Sequence, residues 1–180
     1  TQLFRTKGIG EQADALGVQA AQLFRITSIA YIRLYPNVLR ALDTLRQAGC
    51  RLWLLSNAQQ VFTAYELRLL GLTEVFDGIY LSSDYGCRKP DARFYRALLE
   101  ERDLRPEKCL MIGNDRDTDI AGAKASGMAT LYMHTDLTPT DQRKADPALH
   151  PSVAAPDRRH YEFEGDDWDA LLPMIINIVT

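Results

Sequence analysis

At 180 residues, 46% of them apolar, the chain can bury one sizeable core. Its 21 basic and 24 acidic residues include no Lys/Arg run that would attract nucleic acid or an anionic membrane surface, and no apolar run nears the ~20 residues of a membrane helix. The start "TQLFRTKGIG" lacks the order of a signal peptide, and Cys50, Cys87 and Cys109 are odd in number without metal-ligand spacing, so a soluble cytoplasmic protein with buried free thiols is expected.

In chain order, "EQADALGVQAAQLFRITSIAYIRL" is helical in period with no strand beside it, and predicts one or two helices of a separate small element. From position 37 strand-like and helix-like segments alternate, the pattern of a parallel sheet covered on both faces. "NVLRALDTLRQAG" sets Val38, Leu42 and Leu45 on one helical face and closes at Gly49, and "CRLWLLS" reads as a strand. "QQVFTAYELRLLGL" predicts a helix with Val61, Tyr65 and Leu69 in line, followed by a short strand at "GIYLSS".

In "RKPDARFYRALLEERDL", Pro90 and Asp91 suit a helix start, and Phe94, Tyr95, Leu98 and Leu99 form its buried face. "KCLMIG" is the third strand. The helix after it, "TDIAGAKASG", is rich in Ala and Gly and can lie close to the sheet; "MATLYM" is a fourth strand. Residues 135–158 carry four prolines and little periodicity, which predicts a long surface excursion, and "HYEF" and "DDWDALLPMIINIV" supply a last strand and helix.

Sites in open parallel sheets form beyond the carboxyl ends of the strands. Three such ends stand out. "LLSNA" places Ser56 and Asn57 at a turn into a helix, where a hydroxyl and open N–H groups can hold an anion or simply cap the helix. "YGCRKPD" places Lys89 before a Pro-initiated helix. "MIGNDRDTD" crowds Asp115, Asp117 and Asp119 into five positions after an apolar strand, and like charges so close call for a cation, a basic side chain or helix-terminal N–H groups. A calcium loop is excluded, because the positions that need Gly and Glu hold Ile120 and Ser126.

The order is hydroxyl, then lysine, then acids, each at the end of a successive strand. With "LLSNA", "GCRKPDARFY" and "MIGNDRDTDIAGAKASGM", it resembles the haloacid dehalogenase-like superfamily over roughly residues 36–133. The resemblance implies an α/β fold: a three-layer Rossmann-like parallel sheet with helices on both faces, plus a helical cap. It implies a magnesium-dependent phosphatase acting on a small phosphorylated metabolite through an aspartyl-phosphate. Ser56, with Asn57, would bind phosphoryl oxygens, Lys89 would offset charge, and the acidic motif would hold Mg2+.

Two departures follow from the same alignment. The family's first metal-binding acid falls on Asn114, so Asp115 and Asn114 rank nearly equal as ligands. Asp119 is a third candidate ligand or the lysine's partner, and Asp117 is expected to face solvent. The family's nucleophile, the first Asp of a D-x-D motif at the end of the first core strand, has no counterpart in residues 1–55: Asp14 has no strand ahead of it and Asp43 lies inside a helix.

Residues 1–35 are therefore expected to be the tail of a cap domain and residues 36–180 a hydrolase core without its first strand, inactive as it stands. Open sheet edges beside the missing strand would invite self-association. The alternatives are a 2-haloacid dehalogenase, which needs no metal, and a non-catalytic phosphate-binding or interaction module. A receiver-type signalling domain is disfavoured by its motif order.

Overall fold

The computed structural model describes residues 2–136 and 159–179. The excursion expected over 135–158 lies, apart from its first two residues, outside the described residues.

The first two helices are α1 (Gln2–Thr6) and α2 (Ala13–Ser28). Within this stretch Ala13 is buried, while Leu23, Phe24 and Tyr31 stand exposed. Arg25 at the end of α2 ties it to the rest through Glu66, with Nε 2.6 Å from Oε1.

Helix α3 (Val38–Gln47) buries Ala41, Leu42 and Leu45, the face its periodicity predicts. Gly49, at φ +89°, closes it: the Gly49 N–H donates to Arg46 O and the Cys50 N–H to Leu45 O. That closure occupies Cys50, so strand β1 spans Trp53–Ser56 and starts later than the apolar run suggests. Helix α4 (Gln60–Leu69) leads to strand β2 (Gly78–Leu81), which pairs parallel with β1. The apolar line expected on α4 is not its buried face. Leu67 is buried, whereas Tyr65 and Leu69 are exposed, because α4 turns Leu67 towards Leu42 and Leu72.

After the short helix α5 (Ser82–Tyr85), helix α6 (Ala92–Glu101) starts at Asp91, whose carboxylate accepts from the Arg93 N–H, and buries Phe94, Tyr95, Leu98 and Leu99. Strand β3 (Leu110–Gly113) runs into a wide turn over Arg116–Ile120, in which the Ile120 N–H reaches Asp115 O five residues back. Helix α7 (Ala121–Ala125) and strands β4 (Ala129–His134) and β5 (His160–Glu164) follow, and the three strands pair in parallel in the order β3–β4–β5. Helix α8 (Trp168–Val179) ends the described chain.

Alternation along the strands makes three layers. Leu54 and Ile79 face Leu42 of α3 and Leu67 of α4, and Leu110, Ile112, Leu131 and Met133 face Leu45 of α3 and Leu171 and Ile175 of α8. On the other side Leu55, Tyr80 and Met111 pack on Phe94, Tyr95 and Leu98 of α6 and Ala123 of α7. The architecture is the expected α/β one.

The strands form two separate parallel sheets, β1–β2 and β3–β4–β5, with no ladder between β1 and β3. Leu52 O accepts the Asp77 N–H on the β2 side, and backbone groups alternate sides along a strand, so those of Trp53 and Leu55 point away from β2. Likewise Cys109 O accepts the Ala129 N–H on the β4 side, so Leu110 and Ile112 turn their backbone groups away from β4. The two half-sheets are joined by shared helical layers, with two strand edges open between them among the described residues.

All three cysteines are free, as expected, but half-buried and not fully buried. No helix of the described residues is long and apolar enough to cross a membrane.

Candidate active site

Lys89 leaves the loop before α6 and enters the space between the half-sheets, where its residue is only 8% exposed. Its Nζ donates to Leu55 O on the open edge of β1 at 2.7 Å and pairs with Asp119 Oδ1 at 2.7 Å. Asp119 is equally withdrawn, at 6% exposed, and its Oδ2 accepts the N–H groups of Asn114 at 3.1 Å and Asp115 at 3.2 Å. The acid at the end of β3 is thus fixed by its own loop and aimed at the lysine. Removing one partner of such a pair strands a buried charge, at a cost of about 3–5 kcal/mol.

Neighbouring small residues make room for this corner. A Cβ at Gly113 would run into the Asp119 carboxylate, and one at Gly122 would run into the Tyr95 ring. Tyr95 uses that room to share its hydroxyl between Thr118 O at 2.7 Å and Asp119 O at 3.1 Å. Burial, then the charges of Asp119 and Asp115, push the Tyr95 hydroxyl well above its ordinary pKa, so it stays protonated and a donor.

On the β1 side, Asn57 does something its sequence position does not announce. Its side chain clamps the backbone of Lys89, donating from Nδ2 to Lys89 O at 2.9 Å and accepting the Lys89 N–H on Oδ1 at 2.8 Å. The Lys89–Pro90 peptide that follows is cis. Ser56 ends β1 half-buried, and its hydroxyl makes no hydrogen bond among the described residues. A hydroxyl with open valence beside a buried ammonium is suited to an incoming anion.

In the acidic motif, Asp115 Oδ1 accepts the N–H groups of Asp117 at 3.0 Å and Thr118 at 2.9 Å, capping the wide turn. The Asp117 side chain is exposed. Asn114 Nδ2 lies 3.4 Å from Thr135 Oγ1, and the Tyr35 hydroxyl lies 3.4 Å from that same oxygen. Tyr35 and Thr135 border the site without having been singled out from the sequence. Thr135 directly follows β4, and the rule that sites gather beyond strand ends was the available signal.

Among the described residues no three His, Cys, Asp or Glu side chains gather to hold a metal ion. The donor chemistry nevertheless fits magnesium, a hard cation that keeps several waters and takes one or two protein oxygens. The Asp115 carboxylate and the Asn114 amide oxygen are such donors, whereas both Asp119 oxygens are already engaged by Lys89 and two N–H groups.

A family model for haloacid dehalogenase-like hydrolases matches residues 3–127. The chain is 29% identical over 133 residues to a glyceraldehyde 3-phosphate phosphatase of Methanothermobacter thermautotrophicus, covering 74% of this chain and 59% of that one. A phosphoglycolate phosphatase of Vibrio vulnificus is 31% identical over 125 residues, covering 67% and 54%. A phosphoserine phosphatase of Thermus thermophilus is 31% identical over 116 residues, covering 64% and 46%. The chain spans about half the length of these relatives.

Among solved structures, YfnB of Bacillus subtilis, bound to magnesium, superposes with a TM-score of 0.62 at 25% identity, covering 79% of this chain and 55% of that one. A HAD phosphatase from Thermococcus onnurineus superposes with a TM-score of 0.60, covering 96% and 84%, and at 17% identity it speaks for the fold alone.

Proposed function

The chain belongs to the haloacid dehalogenase-like hydrolases, and from that premise we propose that its site serves magnesium-dependent hydrolysis of a small phosphorylated metabolite. The observation that carries the reading is the buried Lys89 ammonium, held between Leu55 O and Asp119 within one residue of the Ser56 strand end. Phosphoryl transfer asks for alignment and charge stabilisation more than for covalent chemistry from the protein.

Each residue then has a task. Lys89 and the Ser56 hydroxyl hold phosphoryl oxygens, and Asn57 keeps the lysine backbone in register. Asp119 orients the ammonium. Asp115 and Asn114 would hold magnesium, which when bound supplies a Lewis acid for the phosphoryl oxygens. The relatives' names support a small phosphorylated substrate, since they act on glyceraldehyde 3-phosphate, phosphoglycolate and phosphoserine.

The attacking aspartate is proposed to belong to a strand between β1 and β3, where the backbone groups of Leu55, Leu110 and Ile112 are turned. Residues 1–35 are proposed to be a cap element and residues 36–180 the core. On this reading the 180-residue chain binds phosphate without turning over phosphomonoesters, and its open edges can pair with a second copy. The test is p-nitrophenyl phosphate with magnesium. No turnover is expected from the 180-residue chain, while a version extended by a strand ending in D-x-D should hydrolyse the ester and lose activity on Lys89→Ala. Turnover by the 180-residue chain that disappears in Lys89→Ala overturns the missing-strand reading, and an extended version that is folded but inactive overturns the phosphatase reading.

A further inference from the structure

An open recess of about 670 Å³ lies beyond the carboxyl end of β2 and at the start of α4, with Gln59, Gln60, Ser83, Asp84 and Arg88 in its wall. Its position is fixed by the chain itself. Arg88 immediately precedes the buried Lys89, and Gln59 lies two residues after Asn57, the side chain that clamps Lys89. A phosphomonoester with its phosphoryl group on Lys89 and Ser56 would have this recess next to its alcohol part.

The two charges in the wall are not equivalent. The Ser83 hydroxyl donates to Asp84 Oδ1 at 2.9 Å, and Ser83 Oγ accepts the Gln60 N–H at 2.9 Å. Asp84 is thereby linked to the amino end of the ten-residue helix α4, whose dipole offsets negative charge. Arg88 is exposed, and its guanidinium makes no ion pair or hydrogen bond among the described residues. It presents a planar fork of donors suited to a carboxylate.

We propose that this recess is a specificity subsite in which Arg88 selects phosphomonoesters whose alcohol part carries a carboxylate. The proposal rests on the phosphoryl-site reading above, and it adds the part of the substrate that reading leaves open. Gln59 and Gln60 supply further polar side chains in the same wall for hydroxyl or carboxylate oxygens. The second anionic group, not the phosphoryl group, is what Arg88 reads.

Calorimetric titration of the 180-residue chain in magnesium buffer tests this with three probes: inorganic phosphate, ethyl phosphate and phosphoglycolate. Phosphoglycolate is expected to bind about tenfold more tightly than ethyl phosphate, the size of one charge-assisted bidentate contact. That ratio should fall towards one in Arg88→Gln and recover in part in Arg88→Lys. A ratio near one in the unmodified chain, or an undiminished ratio in Arg88→Gln, overturns the subsite while leaving the phosphoryl site intact if phosphate still binds. No binding of inorganic phosphate overturns both readings. A bisphosphate of propane-1,3-diol, if it outranks phosphoglycolate, overturns the choice of a carboxylate.

Discussion

The two half-sheets differ in what they bring to the site. The β1–β2 half contributes neutral groups, the Ser56 hydroxyl and the Asn57 amide, on a short two-stranded ribbon. The β3–β4–β5 half contributes the acids, Asp115 and Asp119, on a loop knitted together by its own backbone N–H groups. Lys89 spans the two, donating to a carbonyl of one and pairing with a carboxylate of the other. Neither half alone assembles the corner around Lys89. The difference shows how a sheet without a ladder through its middle can still be held in register, by helices on both faces and one buried ion pair at the rim.

The largest test of that arrangement removes the acid. Asp119→Ala leaves the Lys89 ammonium buried without its partner, and should destabilise the chain by about 3–5 kcal/mol in urea unfolding. A loss below 1 kcal/mol would mean that water or another acid takes over. Next comes Gly113→Ala, whose new methyl group has to displace the Asp119 carboxylate from the end of β3, at about 1–3 kcal/mol. Crystals of that variant should show Asp119 moved off Lys89.

Tyr95→Phe leaves the Thr118 and Asp119 carbonyls without their hydroxyl donor, for about 1 kcal/mol. Its urea midpoint should shift less than that of either acid-side variant. The smallest effect at neutral pH belongs to Tyr85→Phe, which loses one half-exposed hydrogen bond to Glu101, about 0.5 kcal/mol.

Tyr85 carries a pH signature as well. Burial, then the hydrogen bond and charge of Glu101, push its pKa from 10.0 up to about 12. A hydroxyl that holds its proton more tightly folded than unfolded contributes stability that is complete below the unfolded value and lost as pH climbs through the folded one. Stability should therefore fall between pH 10.0 and about 12, and fall less steeply in Tyr85→Phe. An equal slope in both proteins would assign the fall to the other buried tyrosines.

Periodicity reads a helix well when one face is apolar and the other charged. Helix α6 is such a case, and Phe94, Tyr95, Leu98 and Leu99 are all buried as its spacing indicates. Helix α4 has apolar residues around most of its circumference, so spacing alone could not say that Leu67 goes in while Tyr65 and Leu69 stay out. In the site, Ser56, Lys89 and the acids were legible as ordered strand-end motifs. The Asn57 clamp was not, because it joins backbone and side chain across 32 positions. The glycines at 113 and 122 read only as small residues until Asp119 and Tyr95 were seen to need their space.

Amide hydrogen exchange along β3 in the 180-residue chain reads out whether the two half-sheets face each other with open edges. The Met111 N–H lies on the β4 side and should be protected, whereas the N–H groups of Leu110 and Ile112 face the gap and should exchange much faster. Asn114, whose N–H is held by Asp119, should be protected again. Uniform protection from Leu110 to Asn114 in a sample dilute enough to be monomeric would overturn the open edge, because a strand of the same chain would then be pairing along it.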